Sequence, residues 1–334
     1  MAGRRTNLGL LVWLAVAFAT GAAAYAMGTG WNRWITIAHG VAGFGIVVLT
    51  PWKSVVVRRG LGRERAGKAA SVFMGILVGV SVASGVVHAF GVRLLPLDVT
   101  AMQIHVGTAL AVLPFAVWHV VARPARPRRT DVSRRAVLRA AGVTAGAGGL
   151  WLATEAAVRV LPVQGGDRRF TGSHEVGSFD PVRMPVTQWL DDEVPTIDEE
   201  AWRLVVADAD GERRLAAPDV AREHRSVRAT LDCTGGWFAV QDWEGVSLDR
   251  LVAPGDARSV VVTSATGYGR RFPVRDLPRL LLATTVGGRA LSPGHGFPAR
   301  LVAPGRRGFW WVKWVTEIRT SDRPWWLQSP FPLT

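Results

Sequence analysis

Seven histidines and a single cysteine are the residues of this chain best suited to redox or metal chemistry, and they fall into two groups. His39, His88, His105 and His119 stand inside long apolar runs in the first 121 residues, whereas His174, His224, His295 and Cys233 stand in a more polar remainder. An ionisable group at membrane depth is costly, so each of the first four is a functional candidate. His39 and His105 fall at similar depth on the second and fourth apolar runs, which face each other diagonally across an up-down bundle. Two neutral imidazoles so placed are what an axially bis-His haem requires. One haem b on His39 and His105 is expected, with His88 as the competing ligand. Hydrogen bonding between helices, or to a quinone head group, is the other use such histidines have.

His105 and His119 are 14 residues apart, nearly a whole number of turns, so they share a face about 21 Å apart along the axis. That spacing resembles the two-haem pattern of cytochrome b-type membrane proteins. A second haem on His119 would want a partner near position 53, where Lys53 stands; one outer haem is therefore the expectation.

The elements that must carry these histidines are apolar runs at residues 8–27, 35–50, 69–90, 100–121 and 136–160, most near the ~20 residues needed to span a bilayer. The second is short unless Trp31 and Trp34 extend it, and the fifth is rich in Ala and Gly. Lys53, Arg58, Arg59, Arg63, Arg65 and Lys68 follow the second run, and Arg123, Arg126, Arg128, Arg129, Arg134, Arg135 and Arg139 follow the fourth. The other connections carry Arg33, and Arg93 with Asp98. Basic loops remain in the cytoplasm, so the N-terminus is expected inside, with everything after about Leu161 outside. The net charge of +14 lies wholly in residues 1–168, with 19 basic and 5 acidic side chains, against 21 of each in residues 169–334. A basic surface for nucleic acid is thereby excluded. Ser133-Arg134-Arg135-Ala136-Val137-Leu138-Arg139 is similar to a twin-arginine export signal, placed internally. Such export carries folded domains, as a cofactor inserted in the cytoplasm would require.

From about Gln164, Asp, Glu, Gly and Pro rise and short β-type runs alternate with turns, at residues 202–206, 227–231, 259–263, 301–303 and 309–315. The fold class expected is an all-α transmembrane bundle followed by a β-rich α+β domain. Boundaries are set at 1–125 for the four-helix bundle, 126–163 for the twin-arginine-like segment and fifth helix, and 164–334 for the extracytoplasmic domain. His174, His224 and His295 are too scattered for a metal triad. Cys233 precedes Gly235-Gly236, where backbone can approach a bulky ligand, and a thiolate is a soft ligand for a redox metal.

The segment Cys233-Thr234-Gly235-Gly236-Trp237, with Trp243-Glu244-Gly245-Val246-Ser247-Leu248, resembles the cysteine motif of the sulfite oxidase superfamily of molybdopterin enzymes. It is most like the branch of the periplasmic methionine sulfoxide reductase catalytic subunit. Gly267-Tyr268 before Phe272-Pro273-Val274, the run Gly294-His295-Gly296-Phe297-Pro298-Ala299-Arg300-Leu301-Val302-Ala303-Pro304-Gly305, and Trp311-Val312-Lys313-Trp314 resemble further elements of that family, in its order. The resemblance implies that Cys233 is the thiolate on molybdenum, with Tyr268 the second catalytic candidate. It implies that His295, Arg300 and Lys313 hold the pterin and its phosphate, and His174 is counted with them. Lys313 is also the one Lys among twenty Arg in residues 169–334.

Sulfite oxidases proper carry an Asn-Arg-Arg type of segment after the cysteine, where Gly235, Gly236 and Trp237 stand here. A neutral S-oxide or N-oxide is therefore the expected small-molecule substrate. The resemblance further implies electron exchange with membrane quinone or quinol through the haem, in the cytoplasmic membrane, with a redox partner protein as a further candidate. Two alternatives stand beside this: a sulfite-oxidising molybdopterin enzyme whose bundle is a haem-free anchor, and a metal-free binding protein of the same fold.

Overall fold

A computed structural model describes residues 3–61, 67–92, 99–125, 127–128, 131, 133–188, 192–222, 225–329 and 331. Arg63, Arg65, Arg93, Asp98, Arg126, Arg129 and His224 lie outside the described residues. The chain divides into two compact units, one of residues 1–25 and 30–174 and the other of residues 26–29 and 175–334.

The first unit is built on five helices, each long and apolar enough to cross a membrane: α1 (Arg4–Ala26), α2 (Asn32–Leu61), α3 (Lys68–Ala89), α4 (Ala101–Ala122) and α5 (Arg134–Val160). Few of their apolar side chains are buried. Trp31, just before α2, and Trp34, in its first turn, stand exposed. The α2 helix is 30 residues long, not the short run its composition suggests, because it continues through Pro51 to Leu61. A capping box starts α4: Gln103 N donates to Thr100 Oγ1 (3.0 Å) and Thr100 N to Gln103 Oε1 (2.8 Å). Ser133 caps α5 by accepting from Ala136 N. Asp131 pairs with both Arg4 and Arg5.

The second unit holds two sheets. After the two-residue β1 (His174–Glu175), the strands are β2 (Arg203–Asp208), β3 (Gly211–Ala216), β4 (Arg225–Asp232), β5 (Trp237–Ser247), β6 (Ser259–Ser264), β7 (Gly269–Pro273), β8 (Leu281–Val286), β9 (Arg289–Ala290), β10 (Arg300–Val302) and β11 (Val315–Ser321). One sheet has the order β3-β2-β11-β6-β7, with β2 and β11 parallel and the other pairs antiparallel. In the other, β5 pairs antiparallel with β4 on one edge, from Asp232↔Phe238 to Arg225↔Gly245, and with β8 on the opposite edge. β8 in turn pairs with β9 and β10. Trp243, Leu204, Leu248, Phe272, Leu281, Leu282, Leu301 and Ile318 fill the core between the sheets. Helices here are single turns of four residues, so the β-rich expectation stands. The run at 309–315 is not a strand: Gly308–Trp310 forms a 3₁₀ turn and pairing begins only at Val315.

Candidate active site

Cys233 follows the last residue of β4 and opens the turn into β5. The turn closes with Cys233 N donating to Trp237 O (2.8 Å) and Gly236 N to Cys233 O (3.2 Å). Gly236 takes φ +90°, which a side chain would oppose. Beneath the turn, Asp232 and Arg307 form a buried ion pair at 2.6 Å, and Arg307 Nη2 donates to Cys233 O. A Cβ at Gly308 would lie 3.1 Å from Cys233 Cα, so a glycine there lets the two segments meet. Cys233 Sγ accepts from Gly235 N at 3.3 Å and lies 3.6 Å from Thr187 Oγ1.

The thiol faces a cavity of about 80 Å³ lined also by Tyr268, His295, Arg300 and Lys313, with Trp237, Trp311 and Trp314 among its walls. Five of the six residues assigned to the molybdopterin site thus converge. The sixth, His174, does not line the cavity: its Nε2 donates to His88 O (2.9 Å), a backbone bond within the helical unit, which removes it from the site.

Arg300 begins β10 and is fully buried, its guanidinium 5.1 Å from the Trp243 ring and 5.8 Å from the Trp311 ring. Nη1 donates to His295 O, and Nε has no partner among the described residues. Burial pushes its pKa down to about 9, against which Cys233 raises it. Lys313 Nζ donates to Thr187 O and Gly294 O, both at 2.7 Å. Burial, and then Arg300, bring its pKa down to about 7, with Cys233 and Asp192 opposing. Asp192 is the one acid among the described lining residues. Trp314, at φ +49°, turns the chain between Lys313 and β11 and is held by its indole N–H on Pro293 O.

The remaining two candidates have their polar atoms engaged by the protein. His295 lies in a 3₁₀ turn closed by Gly296 at φ +106°. Its Nε2 donates to Met184 O (3.1 Å) and its Nδ1 accepts from Ser292 Oγ (2.8 Å). Burial, then Arg300, lowers its pKa to about 4, so the ring is neutral. Both ring nitrogens of His295 are thus engaged by the protein, and the residue lines the cavity. Tyr268 donates its hydroxyl proton to Phe309 O.

Besides Arg300 Nε, Trp237 Nε1 and Gln188 Nε2 are buried in the lining without partners among the described residues. All three are N–H donors. An acceptor-rich anion would satisfy these three donors. Gln188 carries no motif signal; Trp237 stands in the cysteine motif, but its lack of a partner depends on neighbours distant in sequence.

In the helical unit, His39 Nε2 and His105 Nε2 face each other at 3.4 Å. Each ring donates Nδ1–H to a backbone carbonyl, His39 to Ala17 O (2.9 Å) and His105 to Ser81 O (2.7 Å). Two Nε2 lone pairs therefore point at one another. His88, expected as the competing ligand, instead donates Nε2–H to Gly172 O (2.9 Å) and packs edge-on against His174. His119 pairs with Ser71, and Lys53 with Asn7, each on a neighbouring helix.

Residues 191–328 match the family model described as the oxidoreductase molybdopterin binding domain. The chain is 46% identical over 163 residues to a nitrate reductase [NADPH] of Phytophthora infestans, covering 42% of this chain and 17% of that protein. It is 30% identical over 125 residues to the protein-methionine-sulfoxide reductase catalytic subunit MsrP of Xanthomonas axonopodis pv. citri, covering 31% and 38%. It is 26% identical over 165 residues to the mitochondrial sulfite oxidase of Drosophila melanogaster, covering 39% and 29%. The chain spans well under half the length of each of these relatives. The C-terminal half of the chain carries an oxidoreductase molybdopterin-binding domain.

Proposed function

We propose that this protein is a membrane-bound molybdopterin oxidoreductase that transfers an oxygen atom from a small S-oxide or N-oxide, with electrons exchanged with the quinone pool. The observation that carries the reading is the convergence of Cys233, Arg300 and Lys313 on a cavity whose buried orphan atoms are all donors. Cys233 Sγ would hold the metal, because thiolate is its soft ligand. Arg300 and Lys313 would hold the anionic part of the cofactor. At about 80 Å³ the enclosed space is smaller than the ~300–1,000 Å³ of ordinary ligand pockets, so it takes one end of a large group. The molybdenum centre, when bound, supplies two-electron oxygen-atom chemistry.

Reduction of an S-oxide consumes two electrons and two protons and releases the sulfide and one water. Lys313 Nζ, whose pKa is lowered to about 7 by burial and Arg300, would be held protonated by the anionic group it binds. The Trp237, Trp311 and Trp314 walls exclude water and favour a neutral substrate over a sulfite anion. The His39–His105 pair, with both Nδ1–H groups anchored, would hold one haem b, which would supply one-electron relay. The five helices would place this pair in the cytoplasmic membrane, and the internal Arg134-Arg135 pair would direct the C-terminal domain across it.

Elemental analysis and absorption spectra of the purified full-length protein test the reading. Molybdenum in wild type and its loss in Cys233→Ser are expected, together with b-type haem bands lost in His39→Ala. Turnover of S-oxides with a quinol donor should exceed turnover of sulfite with a quinone acceptor. Equal molybdenum in wild type and Cys233→Ser, or none in either, overturns the metal site. Molybdenum without haem bands leaves the bundle as an anchor.

A further inference from the structure

A second cavity, of about 270 Å³, lies wholly within the helical unit and has no part in the chemistry above. Four arginines line it: Arg33 at the start of α2, Arg159 at the end of α5, and Arg168 and Arg169 in the segment that follows. Against them stands one acid, Glu155, which is already paired with Arg168. Arg168 Nη1 also donates to Gly165 O (2.8 Å), and Arg169 lies 5.0 Å from the Phe170 ring. The guanidinium groups of Arg33 and Arg159 have no acidic partner among the described residues. The aromatic wall is Trp151, whose indole lies so close over α2 that a Cβ at Gly40 would come within 2.7 Å of it.

The place of these arginines is unexpected. Arg33 begins α2 and Arg159 ends α5, opposite the Lys/Arg-rich connections after α2 and α4, at the end where a membrane protein has few cations. Cations concentrated there against that bias, converging on one hollow with a single acid, require a local counter-charge. Guanidinium forks match phosphate and carboxylate oxygens, and an indole beside them suits an apolar body.

We propose that this cavity binds the anionic head of a membrane-resident amphiphile, a phosphate or carboxylate borne on an apolar body. The inference rests on the reading that the five helices lie in a bilayer. Two sources carry that chemistry: an anionic phospholipid, and the carboxylate side chains of a haem held at His39, the residue next to Gly40.

The test uses the full-length protein in phosphatidylcholine nanodiscs, with and without phosphatidylglycerol, and lipid retention is read by mass spectrometry. In a second arm, haem and haem dimethyl ester are titrated and read by absorbance. Arg33→Gln with Arg159→Gln is expected to weaken binding in one arm by about tenfold or more, the worth of a charge-assisted pair. Arg33→Lys should restore part of the loss, and Arg58→Gln, exposed on the basic side, should change nothing. Selective loss of phosphatidylglycerol identifies a lipid phosphate, and selective loss of haem over its ester identifies the carboxylates. Unchanged binding in both arms, with the protein still in the membrane, overturns this inference alone. Extraction of the protein by carbonate overturns the membrane reading, and this one with it.

Discussion

Arg300 is a wholly buried cation with no carboxylate partner among the described residues, flanked by Trp243 and Trp311. Such a charge is costly in the cofactor-free fold, because its desolvation is not offset by a partner. Arg300→Met is therefore expected to leave the cofactor-free protein as stable as wild type or more so, while lowering molybdenum content about tenfold or more. Melting curves and metal analysis of the same preparations check the two halves. His295 behaves oppositely, since its folded-state pKa is lowered from 6.5 to about 4. Between those values the unfolded chain takes up a proton that the folded ring refuses. Stability contributed by the neutral ring is present above pH 6.5 and is lost as pH falls towards 4, by roughly 3 kcal/mol. Urea midpoints followed by tryptophan fluorescence should fall over that range, and fall less in His295→Gln, which cannot titrate. Cys233, Arg300 and Lys313 are legible in the sequence because their motifs are local. The engagement of His295 by Met184 and Ser292 is not, since Met184 is 111 residues away.

At the level of elements, each imidazole of the facing pair packs on a glycine of a neighbouring helix. A Cβ at Gly21 would lie 2.9 Å from His39 Cε1, and one at Gly85 would lie 3.0 Å from His105 Nδ1. Leucine at either place must displace the ring, so Gly21→Leu and Gly85→Leu are each expected to abolish the b-type absorbance that His39→Ala abolishes. Retention of full absorbance in both would mean that iron is held elsewhere. The helices themselves are readable from hydropathy, since ~20 apolar residues have few other uses. The end of α2 was not, because Pro51, Lys53 and Ser54 interrupt the apolar run without ending the hydrogen-bonded one. The longest strand, β5, is hidden for a different reason. It turns Gln241 inward and sets Phe238 and Val240 at less buried positions, so its apolar alternation is broken. Conversely, Phe309-Trp310-Trp311-Val312 reads as a strand because it is continuously apolar, yet it is buried as a 3₁₀ turn and the bend after it.

For the whole molecule, the presence of only one thiol makes orientation directly measurable. A membrane-impermeant maleimide applied to right-side-out vesicles from cells unable to make the pterin is expected to label Cys233. Labelling only after permeabilisation would place the domain on the cytoplasmic side. Vesicles from pterin-competent cells should label several-fold less, because the sulfur is then engaged. Two cations at the start of α5, Arg134 and Arg135, oppose the helix dipole there. Their cost is consistent with a role in topology rather than in helix stability.

The buried pair Asp232–Arg307 fastens the base of the cysteine turn whether or not anything fills the hollow above it. An empty domain therefore keeps its thiol presented while Arg300 and Lys313 repel one another across the gap. Insertion of an anion relieves that repulsion without rebuilding the turn. Ripening of the enzyme is then a tightening of a finished shape, and resistance to proteolysis should report which molecules have been charged with their prosthetic group.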